Sequence, residues 1–198
     1  LKSGDACIYL ATMKPPELMI YKLDELCKKK FGKGLSAFKD RFAIIDCFTP
    51  FAGFGRNDAF PTAEEYKKEW LYEEADPRDL NSINVAYSRL SESFNGKRVR
   101  IVYDSFSTIV SLNDQEALYQ YMLHNIAFED KFRYIALYLI RKKSEAEWMD
   151  ALVGGVVNVF VKNGKRYIEI VKLPAKHKSG IFQLTEDERV IKTKAKGF

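Results

Sequence analysis

Apolar residues in this chain fall into short continuous runs, and the longer stretches between the runs carry apolar residues at helical spacing. Three of the runs, Ala6–Ala11, Phe42–Cys47 and Val99–Asp104, contain little polar alternation and predict strands buried in a sheet. Arg133–Ile140 is rich in residues that favour β-structure and predicts another strand. We expect Val99–Asp104 to lie inside the sheet with both faces buried, with Arg100 finding a partner or reaching the sheet end.

The stretches between these runs predict helices whose ends are marked by specific residues. Pro16 suits a first helical turn, and Gly32 marks the end of the same helix. Thr62 is followed three residues later by Glu65, a capping-box signature that predicts a helix to about Ala75. Further helices are predicted over 83–94, behind a second capping box at Asn113 and Glu116, and from Ser144 to about Leu152.

The last third of the chain changes character and predicts two hairpins. Val156–Val161 and Arg166–Leu173 flank Asn163-Gly164, a dipeptide that accepts the positive φ angles of a two-residue type I′ turn. Ile181–Leu184 and Arg189–Lys192 predict a second, smaller hairpin.

Strand–helix alternation followed by hairpins predicts an α/β fold. We expect a mainly parallel sheet flanked by helices and continued at one edge by antiparallel strands. The 198 residues, 46% of them hydrophobic, fit one domain over 1–198 with a full core. No apolar run approaches the roughly 20 residues that span a bilayer, so no membrane partner is expected.

Charge and cysteine content point to a cytoplasmic protein with a basic end. Residues 141–198 hold 13 basic and 7 acidic residues, so the net charge of +5 comes from the last third. The lysines of Lys192–Lys196 suit contact with nucleic acid, the alternative being a solvated tail. The three cysteines lack C-x-x-C spacing, which favours free thiols in a reducing cytoplasm.

Known catalytic motifs are missing from the sequence, and Asp104 is the strongest single candidate. No G-x-x-x-x-G-K-[ST], G-x-G-x-x-G, G-x-S-x-G or H-E-x-x-H motif occurs. Ligands of parallel sheets bind at the carboxyl ends of the strands, where Thr12–Lys14, Asp46 and Asp104 fall. An apolar strand that ends in Asp104-Ser105 is one way to place a carboxylate near magnesium, and capping of the next turn is the alternative.

Four segments, taken in order, resemble the RecA-like ATPases and, within them, the KaiC-like branch. The segments from Leu1 to Glu17 and from Ala43 to Thr49 resemble the second and third strands of that family. Val99–Ile109 resembles its Walker B strand. Val153–Leu184, including His177, resembles its C-terminal strands. The resemblance implies that a first strand and a Walker A loop precede Leu1.

The same resemblance implies a degenerate, archaeal-type member of the superfamily. Met13 and Lys14 stand where the family places catalytic glutamates, so no carboxylate is available there to activate water. Lys172-Leu173-Pro174 stands where KaiC-like proteins carry K-x-R, so the lysine is kept and the arginine lost. Asp104 and Ser105 remain as a Walker B-like pair.

Two hypotheses follow from this resemblance. The first is a non-catalytic domain with a regulatory, scaffolding or signalling role, which binds a protein partner or itself and holds no cofactor. Lys14, Asp46 and Lys172 are then vestigial nucleotide contacts, and no residue is catalytic. The alternative is a KaiC-like ATPase, DNA-linked by analogy of fold, that uses ATP with magnesium at Asp104 and has its phosphate loop upstream of Leu1.

Overall fold

The computed structural model describes residues 4–52, 62–132, 134–141, 147–173, 180–184 and 190–192. The chain divides into two units, 1–146 and 147–198, and each is described by itself. The single domain over 1–198 stays a prediction. His177 and the basic segment from residue 193 onward lie outside the described residues.

The first unit is built on a five-stranded sheet in which every strand pairing is parallel. Its strand order is β3-β2-β1-β4-β5. The strands are β1 Ala6–Ala11, β2 Phe42–Asp46, β3 Leu71–Glu74, β4 Val99–Asp104 and β5 Ile135–Tyr138. β1 therefore lies at the centre, as expected for a run with almost no polar residue.

Helices connect the strands of this sheet, with a 3-10 helix at Leu35–Arg41. The helices are α1 Pro16–Phe31, α2 Phe48–Ala52, α3 Ala63–Glu69, α4 Leu80–Glu92, α5 Phe106–Leu112 and α6 Gln115–Phe132. Gly32 ends α1 at φ 68, and its N–H donates to the Lys28 carbonyl, the left-handed cap that glycine accepts without a Cβ penalty. The capping box of Thr62 and Glu65 is present at the start of α3.

Alternate residues of the strands build two apolar layers, one on each side of the sheet. One layer joins α1, the 3-10 helix and α3 to strand residues such as Phe42, Ile44 and Tyr72. Ile8 and Ile101 pair in register and belong to the opposite face, where both are almost fully buried. Tyr103 on the same face contacts Phe106 of α5 and Tyr121 of α6, and Tyr87 of α4 packs edge-on against Phe128 of α6, so these three helices lie on that second face.

β4 lies between β1 and β5, inside the sheet as predicted. The prediction that both its faces are buried is only half right. Val99, Ile101 and Tyr103 are buried, whereas the alternate residues, among them Val102, are partly exposed. Arg100 finds its partner in Asp5, whose Oδ2 accepts from Arg100 Nε at 2.9 Å and from Nη2 at 2.8 Å.

Two local predictions are wrong. The helix predicted from Thr62 to Ala75 ends at Glu69, and β3 follows it, because Tyr72 completes the apolar layer of the sheet and tertiary packing outweighs helical propensity. The second capping box is not at Asn113. Asp114 Oδ1 accepts the N–H of Ala117 at 2.9 Å, and the Asn113 amide instead donates to the carbonyls of Pro77 and Ile109.

The second unit carries its own antiparallel sheet in the order β6-β7-β8-β9. Its strands are β6 Val156–Lys162, β7 Lys165–Lys172, β8 Gly180–Leu184 and β9 Val190–Lys192, preceded by a 3-10 helix at Glu147–Ala151. Asn163 and Gly164 form the predicted two-residue turn, at φ 51 and 71. These strands form a separate sheet and do not continue the parallel one, which corrects the expected arrangement.

The protein thus has the predicted α/β fold, a parallel sheet flanked by helices with antiparallel C-terminal strands. Within the described ranges, none of the helices has both the length and the apolar character needed to cross a bilayer.

Candidate functional site

The strand order reverses direction between β1 and β4, and the two strands end side by side. The chain runs from β1 through β2 to β3 at one edge of the sheet. It then crosses back past β1 and continues through β4 to β5 at the other edge. In register, Ala11 lies between Asp46 of β2 and Asp104 of β4. A crevice forms outside the carboxyl ends at such a switch point and is the general ligand position in open α/β sheets.

Asp104 is held by a tyrosine of the neighbouring strand. Tyr9 and Val102 are partners in register, and the Tyr9 hydroxyl donates to Asp104 Oδ2. Burial, followed by this hydrogen bond and the carboxylate charge, raises the pKa of Tyr9 above its ordinary value. The hydroxyl therefore stays protonated and acts as a donor to Asp104.

Ser105 is committed to the protein's own backbone. Thr12 Oγ1 donates to the Ser105 carbonyl at 2.9 Å and accepts the Ser105 N–H at 2.9 Å. Ser105 Oγ donates to the Leu139 carbonyl at 3.1 Å and accepts the Ser107 N–H at 3.2 Å, which caps α5. The Ser105 backbone thus joins β4 to β1, and its hydroxyl joins β4 to α5 and to the chain that follows β5.

Asp46 has an equally complete set of partners. Its side chain is fully buried, and Oδ1 accepts the N–H groups of Phe48 at 2.8 Å and Thr49 at 3.0 Å. Oδ2 accepts the Tyr72 hydroxyl at 2.7 Å. These bonds turn the chain at the end of β2 and satisfy a buried carboxylate, so Asp46 has a structural role in this unit.

Lys14 lies at the mouth of a cleft that opens at the switch point. The cleft encloses about 380 Å3, including space open to solvent. Tyr9, Lys14, Lys22 and Asp104 provide its polar wall, and Met13, Met19 and Leu23 provide much of its apolar wall. Lys14 and Asp104 are thus brought together, and Lys22 of α1 adds a second cation that the sequence did not single out.

Lys172 is in the second unit and supports that unit's own structure. Its Nζ donates to the carbonyls of Asp150 at 3.2 Å and Val153 at 2.6 Å. Both carbonyls belong to the end of the 3-10 helix and the loop behind it. The predicted role of Lys172 in contacting nucleotide stays a prediction.

These donor sets do not fit a magnesium–nucleotide complex. Ser105 Oγ and one oxygen of Asp104 are already engaged within the protein. Across the described part of the chain, no group of three or more His, Cys, Asp or Glu side chains is placed to hold a metal ion. Beside the cleft, Met13 and Lys14 offer no carboxylate with which to activate water.

Tyr9 contacts the candidate residue Asp104, and the sequence patterns did not identify it as part of the site. A tyrosine inside a buried strand needs a partner for its hydroxyl, and two residues further on β1 ends beside β4. That requirement was readable from the sequence, but the choice of Asp104 as the partner depends on the strand order.

The face of the sheet that carries Tyr9 continues onto a strip of exposed apolar residues. Val102 pairs in register with both Tyr9 and Leu137, so the three side chains lie on one face. Ile135 and Leu137 of β5 are 56% and 54% exposed. The buried cluster of this layer joins the described helices to β1, β2 and β3, and its members among the described residues include none from β4 or β5.

Comparison with known proteins supports the fold. No protein-family model matches this chain, and no curated protein matches it either. Among solved structures, the chain is similar to the uncharacterized protein PH0321 from Pyrococcus horikoshii, crystallised in complex with an unknown peptide. The two share 16% sequence identity at a TM-score of 0.53, over 98% of this chain and 82% of that one. At this identity the likeness concerns the fold.

Proposed function

We propose that this chain is a non-catalytic RecA/KaiC-like domain that binds a protein partner in a regulatory or scaffolding role. The observation that carries the proposal is the strip of Val102, Ile135 and Leu137 on the parallel sheet. Parallel sheets normally have both faces covered, and a contiguous exposed apolar patch marks an interaction surface. The partner lies on this strip, next to the switch-point cleft.

The hydrogen bonds that the acidic residues make within the protein support a binding role over catalysis. Asp46 serves as a buried cap, and Asp104 and Ser105 are hydrogen-bonded to the protein itself. Lys14 and Lys22 at the cleft add positive charge beside the apolar strip, which favours a partner segment with an acidic residue next to an apolar face. The peptide crystallised with the Pyrococcus protein of similar fold is consistent with a peptide-like partner.

A peptide selection tests this proposal. Peptides selected from a random display library for binding to the chain are expected to lose at least about tenfold in affinity, about 1.4 kcal/mol, for the Ile135→Thr/Leu137→Thr variant. Threonine keeps strand propensity while removing apolar surface. Val85→Thr is the matched control, because Val85 is 50% exposed on α4, away from the strip, and binding to it is expected to stay unchanged. Equal binding to all three proteins would rule out the strip as the site.

Nucleotide titration separates this proposal from the ATPase alternative, which the position of Asp104 at the cleft favours. We expect no measurable phosphate release by the 198-residue chain and weak or no binding of magnesium-ATP. Isothermal titration calorimetry and a phosphate-release assay on wild type and Asp104→Asn provide the measurement. Tight binding, or release that disappears in Asp104→Asn, would establish the ATPase instead.

A further inference from the structure

The outer strand of the second unit has the properties of an open pairing edge. β6 pairs with β7, and within the described residues no strand pairs with its other side. It runs for seven residues without a proline, and its one charged residue, Lys162, stands at its end. Natural edge strands are usually protected by prolines, inward charges, short length or β-bulges. β6 has none of these along its middle, and the one register shift of its ladder with β7 lies at its start, between Val156 and Val157.

The side chains on the two faces of β6 differ in the contacts that they make within the unit. On one face Asn158 donates to Glu169 Oε2 at 2.9 Å, and Phe160 stacks on Tyr167 with ring centroids 5.5 Å apart. On the other face Val157, Val159 and Val161 are 47%, 66% and 68% exposed. The valine side chains therefore make fewer contacts within the unit than Asn158 and Phe160 do, and they are available as cross-strand neighbours for an added strand.

Hairpin geometry places free backbone groups at the same three positions. Lys162 and Lys165 close the two-residue turn and pair in register. The closing pair of such a hairpin exchanges both its backbone hydrogen bonds, and these bonds then alternate along the ladder. The N–H and C=O groups of Phe160 and Asn158 consequently face β7, and those of Val157, Val159 and Val161 face outwards.

We propose that two copies of this chain associate by antiparallel pairing of β6 with β6 about a two-fold axis at Val159. The strand is self-complementary in this register. Val159 lies opposite its own copy, and Val157 lies opposite Val161 of the second copy, so every outward backbone group is paired. Lys162 lies opposite Val156, so no like charges face each other across the axis. Two four-stranded sheets join into one of eight strands with an isologous interface.

A second copy suits this edge better than an unrelated peptide does, because the strand's own sequence supplies the matching valines. The proposal is independent of the function proposed above, which concerns the sheet of the first unit. Pairing of one strand is a small interface, so the dimer is expected to be in concentration-dependent equilibrium with monomer.

Sedimentation equilibrium and disulfide trapping test the proposal. We expect wild type to shift from monomer to dimer with rising concentration, and Val159→Lys, which places two charges opposite each other, to weaken the dimer at least tenfold. Val85→Lys, at a comparably exposed apolar site on α4, is the control and is expected to dimerise like wild type. Wild-type protein that stays monomeric at every concentration would refute the proposal. This holds even if the monomer binds an added extended peptide at β6.

Cysteine substitution tests the register itself. In a hydrogen-bonded antiparallel pair the Cα atoms are about 5.5 Å apart, which suits a disulfide. Under mild oxidation Val159→Cys is expected to form a covalent dimer, and Val161→Cys alone is not, because residue 161 faces residue 157. A mixture of Val157→Cys and Val161→Cys is expected to cross-link into a heterodimer. Wild type under the same oxidation controls for the native cysteines, and circular dichroism confirms that each variant is folded. Equal cross-linking of Val161→Cys alone and Val159→Cys would overturn the two-fold register.

Discussion

The Tyr9 hydroxyl donates a hydrogen bond to the Asp104 carboxylate across the boundary between β1 and β4. The two residues are 95 positions apart in the chain, and parallel pairing of their strands brings them together. The bond holds Asp104, which lines the cleft, in place at the switch point.

Removing this hydroxyl is expected to cost a modest amount of stability. Tyr9→Phe should lower the free energy of unfolding by about 0.5–1.5 kcal/mol, the net value of one such hydrogen bond. A double-mutant cycle with Asp104→Ala, measured by urea unfolding, is expected to give a coupling energy in the same range. Tyr21→Phe, at a tyrosine of α1 that is 64% exposed, is the control and should have almost no effect. A coupling energy near zero would contradict the assigned bond.

Asp46 is expected to matter for folding far more than an exposed ligand contact would. Asp46→Ala removes the acceptor for Phe48 N–H, Thr49 N–H and the Tyr72 hydroxyl, all in a buried site. We expect a loss of about 2–4 kcal/mol in urea unfolding. Asp46→Asn keeps an acceptor oxygen for the two N–H groups and should lose clearly less. Equal losses for the two variants would show that the capping bonds contribute little.

Two stacked tyrosines make the protein sensitive to alkaline pH. Tyr66 and Tyr72 lie with ring centroids 5.0 Å apart and donate to Glu17 and Asp46, respectively. Burial, reinforced by these carboxylates, raises the pKa of both hydroxyls above the ordinary value of 10.0. Both remain protonated in the folded state after they have ionised in the unfolded state. The folded state then binds more protons, so stability is complete below pH 10.0 and falls above it.

The expected slope is up to about 1.4 kcal/mol per pH unit for each tyrosine. Urea unfolding at a series of alkaline pH values measures it. The Tyr66→Phe/Tyr72→Phe variant should show a shallower decline than wild type, although its stability near neutral pH is lower. Parallel declines in the two proteins would assign the alkaline sensitivity to other groups.

The turn between β6 and β7 depends on one glycine. Gly164 has φ +71, and a Cβ built there meets no atom within 4 Å, so a substitution is penalised by backbone conformation alone. Gly164→Ala should destabilise the hairpin by about 1–2 kcal/mol. Asn163→Gly changes a residue that also has positive φ and should stay within about 0.5 kcal/mol of wild type. Hydrogen exchange of the β6 and β7 amides compares the two variants directly.

The three cysteines are expected to react slowly in the folded protein. Cys7, Cys27 and Cys47 are free thiols, and burial raises the pKa of Cys7 to about 11 and that of Cys47 well above its usual value. Thiolate is the reactive form, so a thiol-specific chromogenic reagent should label Cys7 and Cys47 fully only in denaturant. Rapid labelling of both in native buffer, or a disulfide in reductant-free protein, would contradict this assignment.

The sequence by itself determined the elements whose signals are local. Asn163-Gly164 specified its turn because both positions need a positive φ, and Gly32 and Thr62 marked helix ends through their own backbone chemistry. The apolar runs of β1 and β2 predicted a parallel sheet, since a strand covered on both sides needs no polar alternation. The run of β4 predicted a strand inside the same sheet, although only one of its faces is buried. The ends of these runs also placed Asp104 at the carboxyl end of β4 and Lys14 just beyond the carboxyl end of β1.

Only the tertiary structure decided which residues meet. The sequence predicts a helix end where β3 lies, because the four residues of β3 acquire a strand's environment only when β2 lies beside them. The separation of β6–β9 into their own sheet, the partnership of Tyr9 with Asp104 and the uncovered strip on β5 all follow from strand order. That order is fixed by contacts between residues far apart in the chain, and hydrophobic periodicity within a segment carries no information about them.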